Sequence, residues 1–141
     1  MKINLRPINR DDYEFLYDLL KERTPEQTIS FIMPSWNTHM EYIENNPYQE
    51  WCIILHGEEK IGNIYLARDN IMGYFIKKEY IGKGFGTLAI KEMVRKHPRN
   101  YYIANINPHN ERGMRLVRDK FKGELINQIS YRIKRENILN C

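Results

Sequence analysis

A layered α+β fold is what this sequence predicts, on three observations. Apolar residues recur at helical spacing in several stretches, shorter apolar runs of strand length lie between them, and the runs at 51–76 follow one another through tight turns. Successive strands joined by tight turns pair antiparallel, which sets this chain apart from a doubly wound alternation of strands and helices.

Residues 2–7 alternate Ile3, Leu5 and Pro7 with polar neighbours and predict a short strand. Asn9 then caps a helix that carries Asp11 and Asp12 in its first turn and Tyr13, Leu16, Leu19 and Leu20 on one face. Thr24-Pro25-Glu26-Gln27 is a capping-box pattern with proline at the first helical position, predicting a second short helix through Phe31. A third helix starts near Asn37 and ends before Pro47. Strands follow at 51–55 and 61–67, joined by the turn residues 57–60, and after a second turn at 68–70 another strand covers 71–76. Phe85, Leu88, Ala89 and Met93 mark one face of a helix that Pro98 terminates. Residues 101–106 predict a strand and residues 110–120 a helix with Met114, Val117 and Phe121 on one face. Residues 125–133 predict a final strand.

With 141 residues and no linker or low-complexity tract, a single domain over 1–141 is expected. No run of about 18 apolar residues and no signal pattern is present, so a cytoplasmic protein without membrane contact is expected. Two distant cysteines, Cys52 and Cys141, indicate neither a disulfide framework nor a metal site. The net charge of +4 is unevenly spread: residues 1–60 hold 6 Lys/Arg against 11 Asp/Glu, and residues 61–141 hold 16 against 7. A basic half suits a polyanionic ligand and an acidic half a cationic one. No nucleic-acid module accompanies the basic half, so nucleic acid is not an expected partner.

The most informative stretch is Ile81-Gly82-Lys83-Gly84-Phe85-Gly86-Thr87, placed between a strand and a helix. Three glycines in five residues let backbone amides turn inward, and the helix start adds its positive dipole end, a cradle for pyrophosphate. A Walker loop would need Ser or Thr after Lys83, and a dinucleotide fingerprint would need glycine at Thr87. Taken with Met72-Gly73-Tyr74-Phe75-Ile76 and Lys77-Lys78-Glu79-Tyr80 before it, the loop resembles the core of the GNAT superfamily of acyl-CoA-dependent N-acyltransferases.

That resemblance implies a three-layer α/β/α fold whose mixed, mostly antiparallel sheet has a splayed central strand pair. It implies acetyl-CoA as cosubstrate, with the backbone of Phe75, Ile76 and Lys77 along the pantetheine arm and residues 81–87 around the pyrophosphate. Asn107-Pro108-His109-Asn110 resembles the family's helix start beside the cofactor, with Gly113 where serine is usual, and implies contacts from Asn105 and Asn110. Ile81 replaces the family's Gln or Arg. Ile71 and Val117 stand where relatives carry a catalytic glutamate and tyrosine, so the proton-moving groups must come from elsewhere. His39 is the favoured base because imidazole titrates near neutrality, with Glu41 beside it and Tyr131 as the acid. Asp69 reads as a turn former.

The expected reaction is direct transfer of acetyl to a primary amine, without a Cys52 intermediate, by a monomer or homodimer. Residues 45–51 and 105–108 resemble members that acetylate nucleotide-linked amino sugars. Protein N-terminal or lysine acetylation, and a non-catalytic CoA-binding domain, are the alternatives.

Overall fold

Strand β2 (Glu50–His56) is buried from Trp51 to Ile54, and the sheet is built around it. In this computed structural model, which describes residues 1–28, 32–126 and 134–140, β1 (Asn4–Pro7), β2, β3 (Glu59–Leu66) and β4 (Met72–Ile76) form one antiparallel sheet in that order. Strand alternation sorts the side chains. Trp51, Ile53, Tyr65 and Phe75 pack with Leu16 and Leu19 of α1 (Tyr13–Lys21) and Ile43 of α2 (Trp36–Asn45). Cys52, Ile54, Ile64, Leu66, Met72 and Ile76 pack with Phe85, Ala89 and Met93 of α3 (Phe85–Lys96) on the other face. The result is the three-layer α/β/α arrangement. Between Ile54 and Leu55 the register slips, leaving Ile61 as the extra residue of a β-bulge that turns it into the α3 face.

The start of α1 is tied to the sheet by one carboxylate. Asn9 caps a 3₁₀ turn at Arg10–Asp12 by accepting from the Asp11 amide at 2.9 Å, and Asp12 answers by accepting from the Asn9 amide at 2.8 Å. The Asp12 side chain has no solvent exposure and also receives two bonds of 2.9 Å from Arg6 on β1 and an ion pair of 2.6 Å from Lys60 on β3. Burial alone would raise its pKa, but the bonds from Arg6, Lys60 and Asn9 outweigh burial and hold it at about 2.

Two expected elements come out shorter and a third changes its helix type. The second helix is a 3₁₀ turn at Pro25–Gln27, and residues 29–31 of the expected helix lie outside the described residues. Its capping box forms, but the Asn107 amide takes the Pro25 and Thr28 carbonyls at 3.0 and 2.9 Å, acceptors that a continuing helix needs. The strand expected at 101–106 is reduced to a single parallel bridge between Ile103 and Ile71. The helix expected at 110–120 is α4 (Glu111–Met114), which widens into a π-helical turn at Arg115–Lys120. Of the final strand, Leu125 and Ile126 are exposed and irregular, and residues 127–133 lie outside the described residues. A last short helix, α5, covers Arg135–Leu139.

Candidate functional site

The loop leading into α3 alternates backbone hands. Gly82 at φ +82° and Gly84 at φ +88° occupy the left-handed region, which glycine enters without strain, and Gly84 caps α3. The first bond of α3 runs from the Leu88 amide to the Gly84 carbonyl, so the Phe85, Gly86 and Thr87 amides precede it as free helix N-terminal donors. The Arg112 guanidinium of α4 lies against this loop, 3.0 Å from where a Cβ on Gly82 would stand. Lys120 approaches Thr87 Oγ1 at 3.4 Å. Amide donors, a helix dipole and two cations converge on one place, as binding of phosphate requires.

Beside the loop, β4 has an open edge. The Met72 amide donates to the Ile103 carbonyl at 2.9 Å, and the Ile103 amide to Asn70 at 2.8 Å. There the parallel pairing stops, because the segment beyond Ile103 turns away to where Asn107 holds the Pro25–Thr28 turn. Strand parity fixes which groups this leaves open. Ala67 N donates to Ile71 O and Lys77 N to Ile61 O, so odd-numbered residues of β4 bond to β3 while Tyr74 and Ile76, beyond the Met72–Ile103 bond, present their amides and carbonyls to the gap. The Tyr74 ring packs on the other side of the same strand, 2.8 Å from where a Cβ on Gly86 would stand.

Across the gap runs a groove of about 1940 Å³ from the glycine loop to an aromatic floor. Tyr48 and Tyr65 stack at 3.9 Å, Trp51 meets Tyr48 edge-on, and the Tyr42 and Tyr48 hydroxyls are hydrogen-bonded. Trp51 Nε1 donates to Asn63 Oδ1 at 3.0 Å. The Tyr65 hydroxyl lies over Gly73, where any Cβ would collide with it. Burial pushes the Tyr48, Tyr65 and Tyr74 phenols above their ordinary range, so all three are protonated at neutral pH.

A splayed β4 edge running into a glycine-capped phosphate cradle matches what the family resemblance implies, and a family model decides it: the acetyltransferase (GNAT) domain matches residues 2–119. The chain belongs to the GNAT acetyltransferase family. It is accordingly an N-acetyltransferase that uses acetyl-CoA as cosubstrate. No curated protein matches it in sequence. Among solved structures, RimL, a ribosomal L7/L12 α-N-protein acetyltransferase in complex with coenzyme A, is similar with a TM-score of 0.67 at 13% identity, over 84% of this chain and 78% of that one. AAC(6')-Iy bound to a bisubstrate analogue has a TM-score of 0.65 at 14% identity, over 96% and 99%. Spermidine N-acetyltransferase from Vibrio cholerae with CoA and spermine has 0.56 at 20%, over 66% and 62%. At these identities the likeness is one of fold.

Several sequence-predicted positions in this acetyltransferase line the groove: Ile76, Ile81, the glycines Gly82, Gly84 and Gly86, Phe85 and Thr87, with Asn105 and Asn110 on the far side. Asn110 also serves as the α4 cap, accepting from the Gly113 amide at 2.9 Å. Phe75 lines the groove as well. Other assignments change. The backbones of Phe75 and Lys77 bond to β3, so Tyr74 takes over with Ile76 at the open edge. The Lys77 ammonium pairs with Glu79 at 3.0 Å, and Lys83 stands over the Tyr80 ring at 5.7 Å; neither lines the groove.

On the catalytic side, His39 is 3% exposed, its Nε2 donates to the Tyr13 carbonyl at 3.1 Å, and its ring packs in a cluster with those of Tyr17 and Trp36. Burial lowers its pKa despite that bond. A histidine so held packs α1 on α2. Glu41 is on the exposed surface of α2, away from the groove, and Tyr131 lies outside the described residues. The acidic first half of the sequence does not supply an acidic groove either: Asp11, Glu14 and Asp18 flank a separate shallow depression beside α1, and Asp12 is buried. Among the described residues the only carboxylate lining the groove is Asp119, which pairs with Arg118 at 2.8 Å.

Arg112 and Tyr65 were not singled out by the sequence, and Asn107 was read only as part of a helix start and not as the residue that holds the Pro25–Thr28 turn. An arginine two residues after a helix cap, or a tyrosine in mid-strand, has no local signature; only the tertiary arrangement assigns them.

Proposed function

We propose that this acetyltransferase moves acetyl from acetyl-CoA directly to the primary amine of a small molecule bound on the tyrosine floor. The observation that carries this reading is the open edge of β4 running without interruption from the Tyr65 hydroxyl at Gly73 to the glycine loop. Acetyl-CoA supplies the activated acyl group. The amides of residues 82–87 and Arg112 would hold its pyrophosphate, and the Tyr74 and Ile76 backbones would pair with the amides of its pantetheine arm. A backbone N–H on that edge, rigid in the sheet and shielded from water, is suited to stabilise the charge that develops on a carbonyl oxygen during acyl transfer.

Direct transfer follows from the state of the one described cysteine. Burial on the α3 face is the main cause that pushes the Cys52 thiol up to about 11, and the site is closed to the groove. A Cys52→Ala variant is therefore expected to keep turnover within about twofold, whereas an acyl-cysteine route requires its loss. Arg112→Ala should raise KM for acetyl-CoA about tenfold with kcat nearly unchanged, since it removes one charge-assisted contact to the phosphates. Steady-state kinetics with thiol release as the readout tests both.

The reading itself is tested by titrating the protein with acetyl-CoA in a calorimeter and then following thiol release with amino sugars and other small amines. An amino sugar remains the favoured acceptor on the resemblance of residues 45–51 and 105–108, and the hydroxyl-rich floor of Tyr42, Tyr48 and Tyr65 suits a polyhydroxylated ring.

A further inference from the structure

Resting on the pyrophosphate position proposed above, we infer that Lys91 of α3 and Arg115 of the π-helical turn form a subsite for the 3′-phosphate of the coenzyme, so that this enzyme selects CoA over its 3′-dephospho form.

The cofactor end of the groove holds more positive charge than a pyrophosphate needs. The Phe85, Gly86 and Thr87 amides and the Arg112 guanidinium already face that group, and Lys120 stands at the rim of the cradle, 3.4 Å from Thr87 Oγ1. Lys91 and Arg115 line the same groove, yet neither forms an ion pair or a side-chain hydrogen bond among the described residues. The one groove carboxylate, Asp119, is engaged by Arg118 at 2.8 Å, and Arg115 acts on it only at longer range. Arg95, the next groove-lining cation along α3, is held by Glu92. Two unpaired cations beside a pyrophosphate suit a further anion. The 3′-phosphate is the one remaining anionic group of CoA, and a phosphomonoester carries about −1.5 to −2 at pH 7.

The placement of the two side chains points to the same group. Lys91 follows Thr87 by four residues, which puts both on one face of α3, about 6 Å apart along its axis. The 3′-phosphate sits on the ribose that follows the pyrophosphate, one sugar away from the cradle, so a cation one helical turn further on is placed to meet it. The facing wall is shaped by its helix type. In an α-helix, residues 115 and 120 would point about 140° apart around the axis. In the π-helical turn at Arg115–Lys120 the bonds span five residues, as from the Phe121 amide to the Leu116 carbonyl at 3.0 Å, and Arg115 and Lys120 come onto one face and both line the groove. Lys120 meets Thr87, so that face is turned toward the side of α3 that carries Lys91.

The test is calorimetric titration of the intact protein with CoA and with 3′-dephospho-CoA at one low ionic strength, where exposed charges are weakly screened. CoA is expected to bind at least about tenfold more tightly, the order of one charge-assisted contact. In the double variant Lys91→Met/Arg115→Met the ratio falls to about threefold or less through loss of CoA affinity, with the Kd for dephospho-CoA nearly unchanged. Arg112→Ala instead weakens both ligands about tenfold and keeps their ratio, because the pyrophosphate is common to both. Lys91 and Arg115 are exposed, so the double variant is expected to fold, which circular dichroism checks. A wild-type ratio under about tenfold, a ratio that stays above about threefold in the double variant, or equal weakening of both ligands there overturns the inference and leaves the acetyltransferase reading standing. Failure of both ligands to bind the wild-type protein overturns that reading and this inference with it.

Discussion

Acetyl-CoA affinity falls about 10- to 100-fold when Gly84 is replaced by valine, with the folded structure retained. Gly84 sits at φ +88°, where a β-branched residue is strained by about 1–3 kcal/mol. Space is not the issue, because the nearest atom to an added Cβ, Met1 Cε, is at an ordinary 3.4 Å. What changes is the backbone: relaxing φ rotates the peptide units whose amides precede the first bond of α3. Gly82→Val adds to the same strain a tight approach of 3.0 Å to the Arg112 guanidinium, which must shift from the loop, and is expected to be at least as damaging. Calorimetric Kd values and circular dichroism, measured on both variants, separate lost binding from lost structure.

Asp12→Ala lowers unfolding stability by about 3 kcal/mol at neutral pH, the lower part of the range for breaking a buried ion pair. The lower part applies because Arg6 and Lys60 are each about one third exposed and regain water when Asp12 is gone. In a chain of this length that amounts to roughly 6–12 °C in Tm. The pH dependence has a definite sign. The carboxylate's pKa is depressed in the folded state to about 2 from about 3.9 unfolded, so its contribution is complete above about pH 5 and is lost as pH falls through 2. Urea denaturation of the two proteins should give a stability gap that is constant from pH 5 to 8 and closes progressively below pH 4.

The legible parts of this molecule were those set by local chemistry. Asn9 and the capping box at Thr24 both form, the apolar stripe of Phe85, Ala89 and Met93 is buried, and Gly82 and Gly84 take the positive φ that a phosphate loop needs. Elements governed by distant partners were less legible. Residues 101–106 have strand composition, yet only Ile103 pairs, because Asn107 is drawn to the carbonyls of Pro25 and Thr28. Asp12 reads as a first-turn helix acid, and its three partners Arg6, Asn9 and Lys60 come together only when β1, β3 and α1 are assembled. His39 has the right chemistry for a base, but its position on the buried face of α2 commits it to the Tyr13 carbonyl. For the open edge of β4 the sequence offered Phe75, Ile76 and Lys77 without distinguishing them; Ile76 keeps its place and Tyr74 replaces the other two, since parity is decided by pairing with β3 and not by the strand's own sequence.

The central claim, that this free edge receives the cosubstrate's pantetheine arm, is tested most directly by amide hydrogen exchange of the protein with and without CoA. The expected result is new protection of the Tyr74 and Ile76 amides and of the Phe85, Gly86 and Thr87 amides, while Phe75 and Lys77, already bonded to β3, exchange as before. Unchanged exchange at Tyr74 and Ile76 under saturating CoA would contradict it.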